Sequence, residues 1–394
     1  MPRMKFSAKQ QHFIHQVIKG QHIFLTGLAG AGKTAVVKKI VDILTEKGRN
    51  VACCAPTGIA AMNMGGSTIH SMFAINPFGV MDYDSCNFLK PDKRLILKKI
   101  QTIIIDEVSM LRPDLLDAIN WTLIKNGAGG LRNKQVIFVG DMKQLKPVIR
   151  DNQKAVMYRE YNGDTFEYAK IYPKLNVKEI FLDEVFRQED MNFIDSLNIV
   201  RNGGRSDYFR QFVSNSPSGI ILAPTNAVVA KYNQKGLDSL KGETFIFNAK
   251  IEGDVKFEDF SLEREIQVKQ GAKIMYLVNN SEKSLVNGTL GIFVSYKDQH
   301  YIRVGETDFP IERVEVVKKD YVYDPEKDKI ELKEIGKITQ MPIKLAYALT
   351  IHKSQGLTFD EVTVDLSNKG RMMPGMLYVA LSRVRTPQGL KLIM

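Results

Sequence analysis

Apolar positions over the first 190 residues follow two rhythms. Short unbroken runs at Ile23-Phe24-Leu25, Cys53-Cys54, Thr102–Ile105 and Val136-Ile137-Phe138-Val139 predict strands buried on both faces. Between them, Ala35, Val36, Val37, Ile40 and Leu44 repeat at helical spacing. The alternation predicts a parallel sheet with covering helices. Residues 73–93 break the rhythm with the turn signals Asn76-Pro77-Phe78-Gly79 and Lys90-Pro91-Asp92. A second α/β region starts near Met191, where Phe193, Ile194, Leu197 and Val200 form a helical stripe that stops at Asn202-Gly203-Gly204. Ile220-Ile221-Leu222 then runs into Ala223-Pro224-Thr225-Asn226, a short echo of Cys53-Cys54-Ala55-Pro56-Thr57. Over 285–341 the pattern shortens again, and Val286–Val294 and Tyr301–Val304 read as antiparallel strands joined by tight turns.

The chemistry collects after the strand-like runs. Gly27-Leu28-Ala29-Gly30-Ala31-Gly32-Lys33-Thr34 follows the first run and opens the first helical stripe, a full match to the phosphate-binding pattern G-x-x-x-x-G-K-[ST]. Gly27, Gly30 and Gly32 let backbone N–H groups turn onto an anion, and the helix start adds a favourable partial charge. Lys33 is expected to reach the β- and γ-phosphates and Thr34 to hold Mg²⁺. The run Thr102–Ile105 ends in Asp106-Glu107. Asp106 is placed to take a water of the Mg²⁺ shell and Glu107 to orient and deprotonate the attacking water. The run ending at Val139 leads into Gly140-Asp141-Met142-Lys143-Gln144, where Gln144 is the candidate γ-phosphate sensor. The expected cofactors are therefore ATP and Mg²⁺.

Length and composition change the picture only in part. At 394 residues, two or more domains are expected, and 44% hydrophobic with 25% charged residues is a folded-protein balance. No apolar run reaches bilayer length, and Met1–Phe6 lacks a leader-like segment, so the cytoplasm is the expected compartment. Three cysteines offer no disulfide framework or metal cluster. A net charge of +11 suits a polyanion such as nucleic acid.

The chain resembles superfamily 1 DNA helicases of the Pif and RecD branch along nearly its whole length. Phe6-Ser7-Ala8-Lys9-Gln10 looks like the Q motif, which implies that Gln10 reads the adenine edge. Ala55-Pro56-Thr57-Gly58 and Gly65-Gly66-Ser67-Thr68-Ile69-His70-Ser71 are similar to motif Ia and its extension, implying that Thr57, Gly58, Thr68 and His70 grip single-stranded DNA. Asp106–Met110 resembles motif II and Gly140–Val148 motif III. Glu184-Val185-Phe186-Arg187-Gln188 resembles motif IV, whose arginine reaches the phosphates. Thr350–Gly356 is similar to motif V, which brings in His352, Ser354 and Gly356. Tyr378–Arg383 resembles motif VI, in which Arg383 matches an arginine finger. Before motif III the chain departs from the eukaryotic Pro-Phe-Gly-Gly-type stretch and reads Leu131-Arg132-Asn133-Lys134-Gln135. That departure, with no long terminal extensions, favours a minimal bacterial or viral form.

The resemblance implies an α/β fold of two RecA-like P-loop lobes with parallel sheets, a small β-hairpin or loop insertion (1B) and an SH3-like β insertion (2B). Domain 1A is expected over 1–72 and 94–190, 1B over 73–93, 2A over 191–284 and 342–394, and 2B over 285–341. Phe78, Tyr83 and Phe88 are candidate wedge aromatics, or alternatively the core of a miniature subdomain. Thr57 and Asn226 are each expected to donate to a phosphate oxygen. Arg187 and Arg383, coming from a second lobe, would make closure depend on the γ-phosphate. The implied activity is 5′-to-3′ ATP-dependent unwinding of duplex DNA and of G-quadruplexes, with single-stranded and forked DNA as partners, no membrane partner, and a monomeric state. Repair, recombination, replication and telomere maintenance are the implied settings, in the nucleoid or, in a eukaryote, the nucleus or mitochondrion. An RNA helicase of the same superfamily remains open, since no residue declares itself a 2′-OH reader. So does a nucleic-acid-stimulated ATPase or switch without unwinding. A guanine-reading Asn-Lys-x-Asp is missing, because Asn133-Lys134-Gln135 is followed by Val136. A small-molecule kinase would leave the second lobe and the basic charge without a purpose.

Overall fold

The computed structural model describes residues 6–76, 79–188, 190–253, 255, 257, 262–278, 285–297, 299–367 and 372–394. These divide into two units. The first comprises residues up to Arg187 together with Lys319–Glu334, and the second comprises Gln188–Lys318 and Ile335–Met394.

The first unit is built on a six-stranded parallel sheet. Its strands are β1 (Ile23–Gly27), β2 (Val51–Ala55), β3 (Ser67-Thr68), β4 (Thr102–Ile105), β5 (Gln135–Val139) and β6 (Lys178–Leu182), in the order β3-β2-β4-β5-β1-β6. β1, β4 and β5 are buried at every position, which is why they are mostly apolar or β-branched, the buried Gln135 at the start of β5 having its amide on the Val17 and Gln21 carbonyls. Helices α1 (Ala8–Ile18), α2 (Lys33–Glu46), α3 (Gly58–Asn63), α4 (Ile69–Phe73), α5 (Pro91–Lys99), α6 (Pro113–Lys125) and α7 (Asp151–Tyr161) complete it. Two cores sit on the two faces of the sheet. One joins Phe13, Val17, Val36 and Ile40 to Leu25 and Ile137, and the other joins Ile69, Phe73, Leu116 and Phe166 to Ile103 and Phe138.

The wedge segment has no strand among its described residues. It is a loop pinned from beneath by a buried ion pair. Asp114 is fully buried, accepts the Met81 backbone N–H at 2.9 Å and pairs with Arg112, whose Nη2 also donates to the Gly79 carbonyl at 2.7 Å. Met81 and Cys86 fill the core below, while Tyr83 and Phe88 stay 45% and 67% exposed. Lys125 lies over the Tyr83 ring and Arg94 over the Phe88 ring. The miniature-core reading therefore falls to Met81 and Cys86 rather than to these rings. Phe78 lies outside the described residues.

In the second unit, β7 (Ile220–Ala223) is an inner strand of a four-stranded parallel sheet, preceded in the chain by α8 (Met191–Arg201) and followed by α9 (Asn226–Asp238) and α10 (Met376–Leu381). An antiparallel region follows: β8 (Thr244–Asn248), β9 (Lys250–Gly253), β10 (Glu265–Lys269), β11 (Lys273–Tyr276), β12 (Leu290–Tyr296), β13 (Gln299–Val304), β14 (Thr307–Ile311), β15 (Val314–Asp324), β16 (Lys329–Gln340) and β17 (Ile343–Leu345). The chain returns to the parallel sheet as β18 (Ala348–Thr350), β19 (Val362–Asp365) and β20 (Leu390–Ile393), giving the order β18-β7-β19-β20. The β insertion is larger than the 285–341 expected. Its five-stranded sheet runs β14-β13-β12-β11-β17, and its core draws in Phe247, Ile266, Val268 and Ile343 from outside those limits.

The β15–β16 hairpin belongs to both units, and its tip, Lys319–Glu334, is part of the first. The reason lies in strand β2. β3 pairs only with Cys54 and Ala55, leaving the Cys53 edge groups without a ladder partner. The Tyr321 hydroxyl accepts from the Cys53 N–H at 2.8 Å and donates to its carbonyl at 3.4 Å. A covered edge needs no other partner strand.

Candidate active site

The phosphate loop follows β1 at the carboxyl edge of the first sheet, where α/β proteins bind ligands. Its glycines are required by contact as well as by dihedral angle. A Cβ on Gly27 (φ 152°) would lie 2.3 Å from the Leu182 carbonyl oxygen, and one on Gly30 (φ 82°) would lie 2.6 Å from the Arg187 Cβ. Gly32 caps α2 in the left-handed region at φ 75°. Lys33 opens α2 and donates to the carbonyls of Gly27 and Leu28, each at 3.0 Å. Burial pushes its ammonium down; Asp141, Glu107 and Asp106 pull it back up, and Arg187 opposes them.

Those effects place five charged groups around one point. Asp106 and Glu107 end β4, and Asp141 ends β5. Burial, and then the Glu107 charge, raise the Asp106 carboxyl above the usual range; the Glu107 N–H at 2.9 Å and Lys33 act against the rise. A carboxylate held this way favours a cation, so Thr34 and Asp106 fit a divalent ion that arrives with nucleotide phosphates. Glu107 sits at φ 52°, ψ 43°, a left-handed conformation that is strained for a side chain of its size. Gly140 makes room for this corner, because a Cβ there would lie 3.0 Å from the Val108 backbone nitrogen. Gln144 is buried in the next turn, with its N–H on the Asp141 carbonyl at 2.9 Å.

Gln10 lies at the same loop, and its local chemistry explains the motif. Ser7 and Gln10 form a capping box: the Gln10 N–H donates to Ser7 Oγ at 3.3 Å and the Ser7 N–H donates to Gln10 Oε1 at 3.0 Å. Gln10 Nε2 then donates to the Ala31 carbonyl at 3.3 Å, tying the start of α1 to the phosphate loop. The exposed Phe186 ring lies beside Gly32, and the Phe186 N–H donates to the Gly30 carbonyl at 3.0 Å.

The two arginines part company. Arg187 belongs to the first unit, within the 94–190 expected for 1A, and packs on Gly30 rather than coming from a second lobe. Arg383 is 2% exposed inside the second unit. Its Nε donates to the Val379 carbonyl at 2.9 Å, Nη1 to the Leu357 carbonyl at 3.3 Å and Nη2 to Ser382 Oγ at 2.7 Å. That guanidinium is a structural cross-link in this conformation.

The remaining candidates line strand ends. Thr57 caps α3 by accepting the Ala60 N–H at 3.3 Å, and Thr225 caps α9 by accepting the Val228 N–H at 3.4 Å. The Ala-Pro-Thr echo is thus one device used twice, with Gly58 and Asn226 at equivalent first-turn positions. Thr68 caps α4 through Ser71, and His70 follows it, its pKa lowered by burial and then by Arg112. Ser354 is fully buried and donates to the Ile351 carbonyl at 2.8 Å. Burial lowers the pKa of His352, and its Nε2 has no hydrogen-bond partner. Gly356 turns at φ 82° with open space around it. Sequence reasoning missed Asp141, Phe186 and Thr225. Each had left a signal: Asp141 and Phe186 stand inside the stretches similar to motifs III and IV, and Thr225 inside the echo.

A half-buried lysine at the end of a Gly-rich loop, under the charges of three carboxylates, defines a P-loop nucleotide-hydrolysing domain. The PIF1-like helicase family profile matches residues 5–210, and the UvrD-like helicase C-terminal domain matches residues 345–386. The ATP-dependent DNA helicase Pif1 of Bdellovibrio bacteriovorus is 30% identical over 416 residues, covering 99% of this chain and 88% of that protein. The Bacteroides sp. Pif1 structure with ADP-AlF4 superposes with a TM-score of 0.87 at 32% identity, over 99% of this chain and 92% of that one. Bacteroides Pif1 bound to single-stranded DNA superposes with a TM-score of 0.70 at 33% identity, with the same coverage. The chain belongs to the PIF1-like helicase family. No helix among the described residues is long and apolar enough to cross a membrane.

Proposed function

We propose that this chain is an ATP-dependent DNA helicase that tracks 5′ to 3′ on single-stranded DNA and opens duplexes at a fork. The observation that carries the reading is the cluster of Lys33, Asp106, Glu107, Asp141 and Arg187 at one sheet edge, in a chain with full-length similarity to Pif1 helicases. Lys33 and the loop N–H groups hold the β- and γ-phosphates, and Thr34 and Asp106 hold the Mg²⁺ that neutralises them. Glu107 is the base for the attacking water, Gln144 senses the γ-phosphate, and Arg187 offsets charge developed in transfer. Gln10 fixes the loop and keeps one amide hydrogen and one lone pair for the adenine edge. Thr57, Gly58, Thr68, His70, Asn226 and His352 contact the DNA backbone, which positions the strand without reading sequence, while the buried Ser354 holds the turn behind His352 rather than touching the strand. Phe88 is the exposed ring that meets the last base pair. Acting on DNA sets the site of work as the nucleoid, or a nucleus or mitochondrion.

Two labelled duplexes, one with a 5′ tail and one with a 3′ tail, test this. ATP-dependent opening of the 5′-tailed substrate alone is expected; opening of only the 3′-tailed one overturns the polarity, and opening of neither overturns the helicase reading. In the same assay Phe88→Ala is expected to slow opening while single-strand-stimulated ATPase holds. Equal losses would remove the wedge role.

A further inference from the structure

The departure at Leu131–Gln135 has a structural consequence that the ATP site does not use. These residues form the turn entering β5, and with the entries to β1, β2 and β4 they enclose a cleft of about 540 Å³ at the amino edge of the first sheet. Arg49, Lys98, Arg132 and Lys134 line it, together with His22. A second hollow of the same volume adjoins it, sharing Arg132 and Asn133 and adding Lys174. No carboxylate lines either hollow, and none of these five cations forms an ion pair among the described residues.

Two of the groups are held in place. Lys134 is 6% exposed, with Nζ on the Ile100 carbonyl at 2.7 Å. Arg49 Nη1 donates to Gln135 Oε1 at 2.9 Å, and the Gln135 amide is itself tied to the carbonyls of Val17 and Gln21. His22 Nδ1 accepts the Val136 N–H at 3.1 Å, so Nε2 carries the ring proton as a donor. Burial holds Lys134 down to about 8, a cost that a bound anion would relieve. Ordinary solvated basic faces intersperse acids and keep their lysines in water. This one has no acid in its lining and buries Lys134, while Lys98 and Lys174 stay in water.

We propose that the paired hollows bind the phosphodiester backbone of a second nucleic-acid segment, one arm of a fork other than the strand tracked at the carboxyl edge. A single phosphate would need one hollow. Two adjoining ones bridged by Arg132 suit an extended chain of phosphates. The site lies at the opposite end of the five-residue β1 from the phosphate loop, about 17 Å along the strand. The proposal rests on the DNA-helicase reading only for the identity of the polyanion.

The test is the double variant Lys98→Glu/Arg132→Glu, since both side chains are exposed, with binding measured by anisotropy across a salt series. Affinity for a forked duplex is expected to fall about tenfold and its log–log salt slope to flatten by about 2, while a ten-nucleotide single strand binds and stimulates ATPase as in the wild type. Lys174→Glu in the second hollow should show a smaller loss of the same kind, and Lys98→Arg/Arg132→Lys should restore fork binding. Unchanged fork affinity overturns the proposal. So does an equal loss for fork and short strand, which would mean only a general field. A thermal shift with inorganic phosphate that vanishes in the variant while fork binding holds would replace the nucleic-acid site with a small-anion site. If the wild type shows no single-strand-stimulated ATPase, the helicase reading fails instead.

Discussion

The two parallel sheets carry their motif residues in opposite ways. At the carboxyl edge of the first, groups are held against their own preferences: Lys33 is desolvated, Asp106 is driven up toward its neutral form, and Glu107 occupies a left-handed backbone. At the corresponding edge of the second, Arg383 and Ser354 are buried with partners inside the unit. Strain and unfavourable charge at one edge, buried hydrogen bonding at the other, separate residues kept for chemistry from residues that also hold the fold. Variants at the first edge should therefore lose activity with the fold intact, and Arg383 variants should lose both.

The largest expected effect is at Lys33. Lys33→Ala should lower ATP turnover by about 10⁴-fold or more, with melting temperature and single-strand binding near wild type. Loss of all three together would break the contrast. The arginine pair sharpens it. Arg187→Ala should cost about 10³-fold in turnover at an unchanged melting temperature. Arg383→Ala empties the space of a large buried side chain and removes its bonds to Val379, Leu357 and Ser382, so it should also cost about 2–4 kcal/mol and lower the melting temperature by roughly 5–15 °C. An unfolding curve identical to wild type for Arg383→Ala would return that residue to a purely catalytic role.

A smaller effect tests strain directly. Because the folded-state pKa of Asp106 is raised, the folded protein binds more protons than the unfolded chain above about pH 4, and stability falls as pH rises through that window. Lys33 and the Glu107 N–H only partly offset this. Asp106→Asn should thus melt roughly 2–5 °C higher than wild type at pH 8 without metal, with a flatter pH profile, while losing turnover. A lower melting temperature at pH 8 would mean that Asp106 stabilises the fold.

How far the sequence reveals this depends on the range over which each residue acts. The phosphate loop was legible because Gly27, Gly30 and Gly32 meet steric demands that only glycine satisfies, and the four inner strands β1, β2, β4 and β5 because burial leaves apolar runs, whereas the two-residue β3 and the half-exposed β6 left no such run. Gln10 was found through resemblance, but its capping box with Ser7 was equally open to reading three residues apart. What stayed hidden depends on distant partners. Tyr321 covers the edge of β2 from 268 residues away, so the hairpin tip could not be assigned to the first unit. Asp141 looked like the start of an ordinary turn until β5 set it beside Lys33. The burial of Arg383, and the acid-free lining formed by the entries to four strands, exist only once the sheets are assembled.

The most direct test of the account is Glu107→Gln, followed by ATP turnover with and without single-stranded DNA and by nucleotide retained through rapid desalting. The account predicts DNA-stimulated turnover in the wild type, a fall of about 10²–10⁴-fold in the variant, and ATP still bound. Turnover at the wild-type rate in Glu107→Gln would contradict it, because the strained glutamate at the end of β4 would then not be the base.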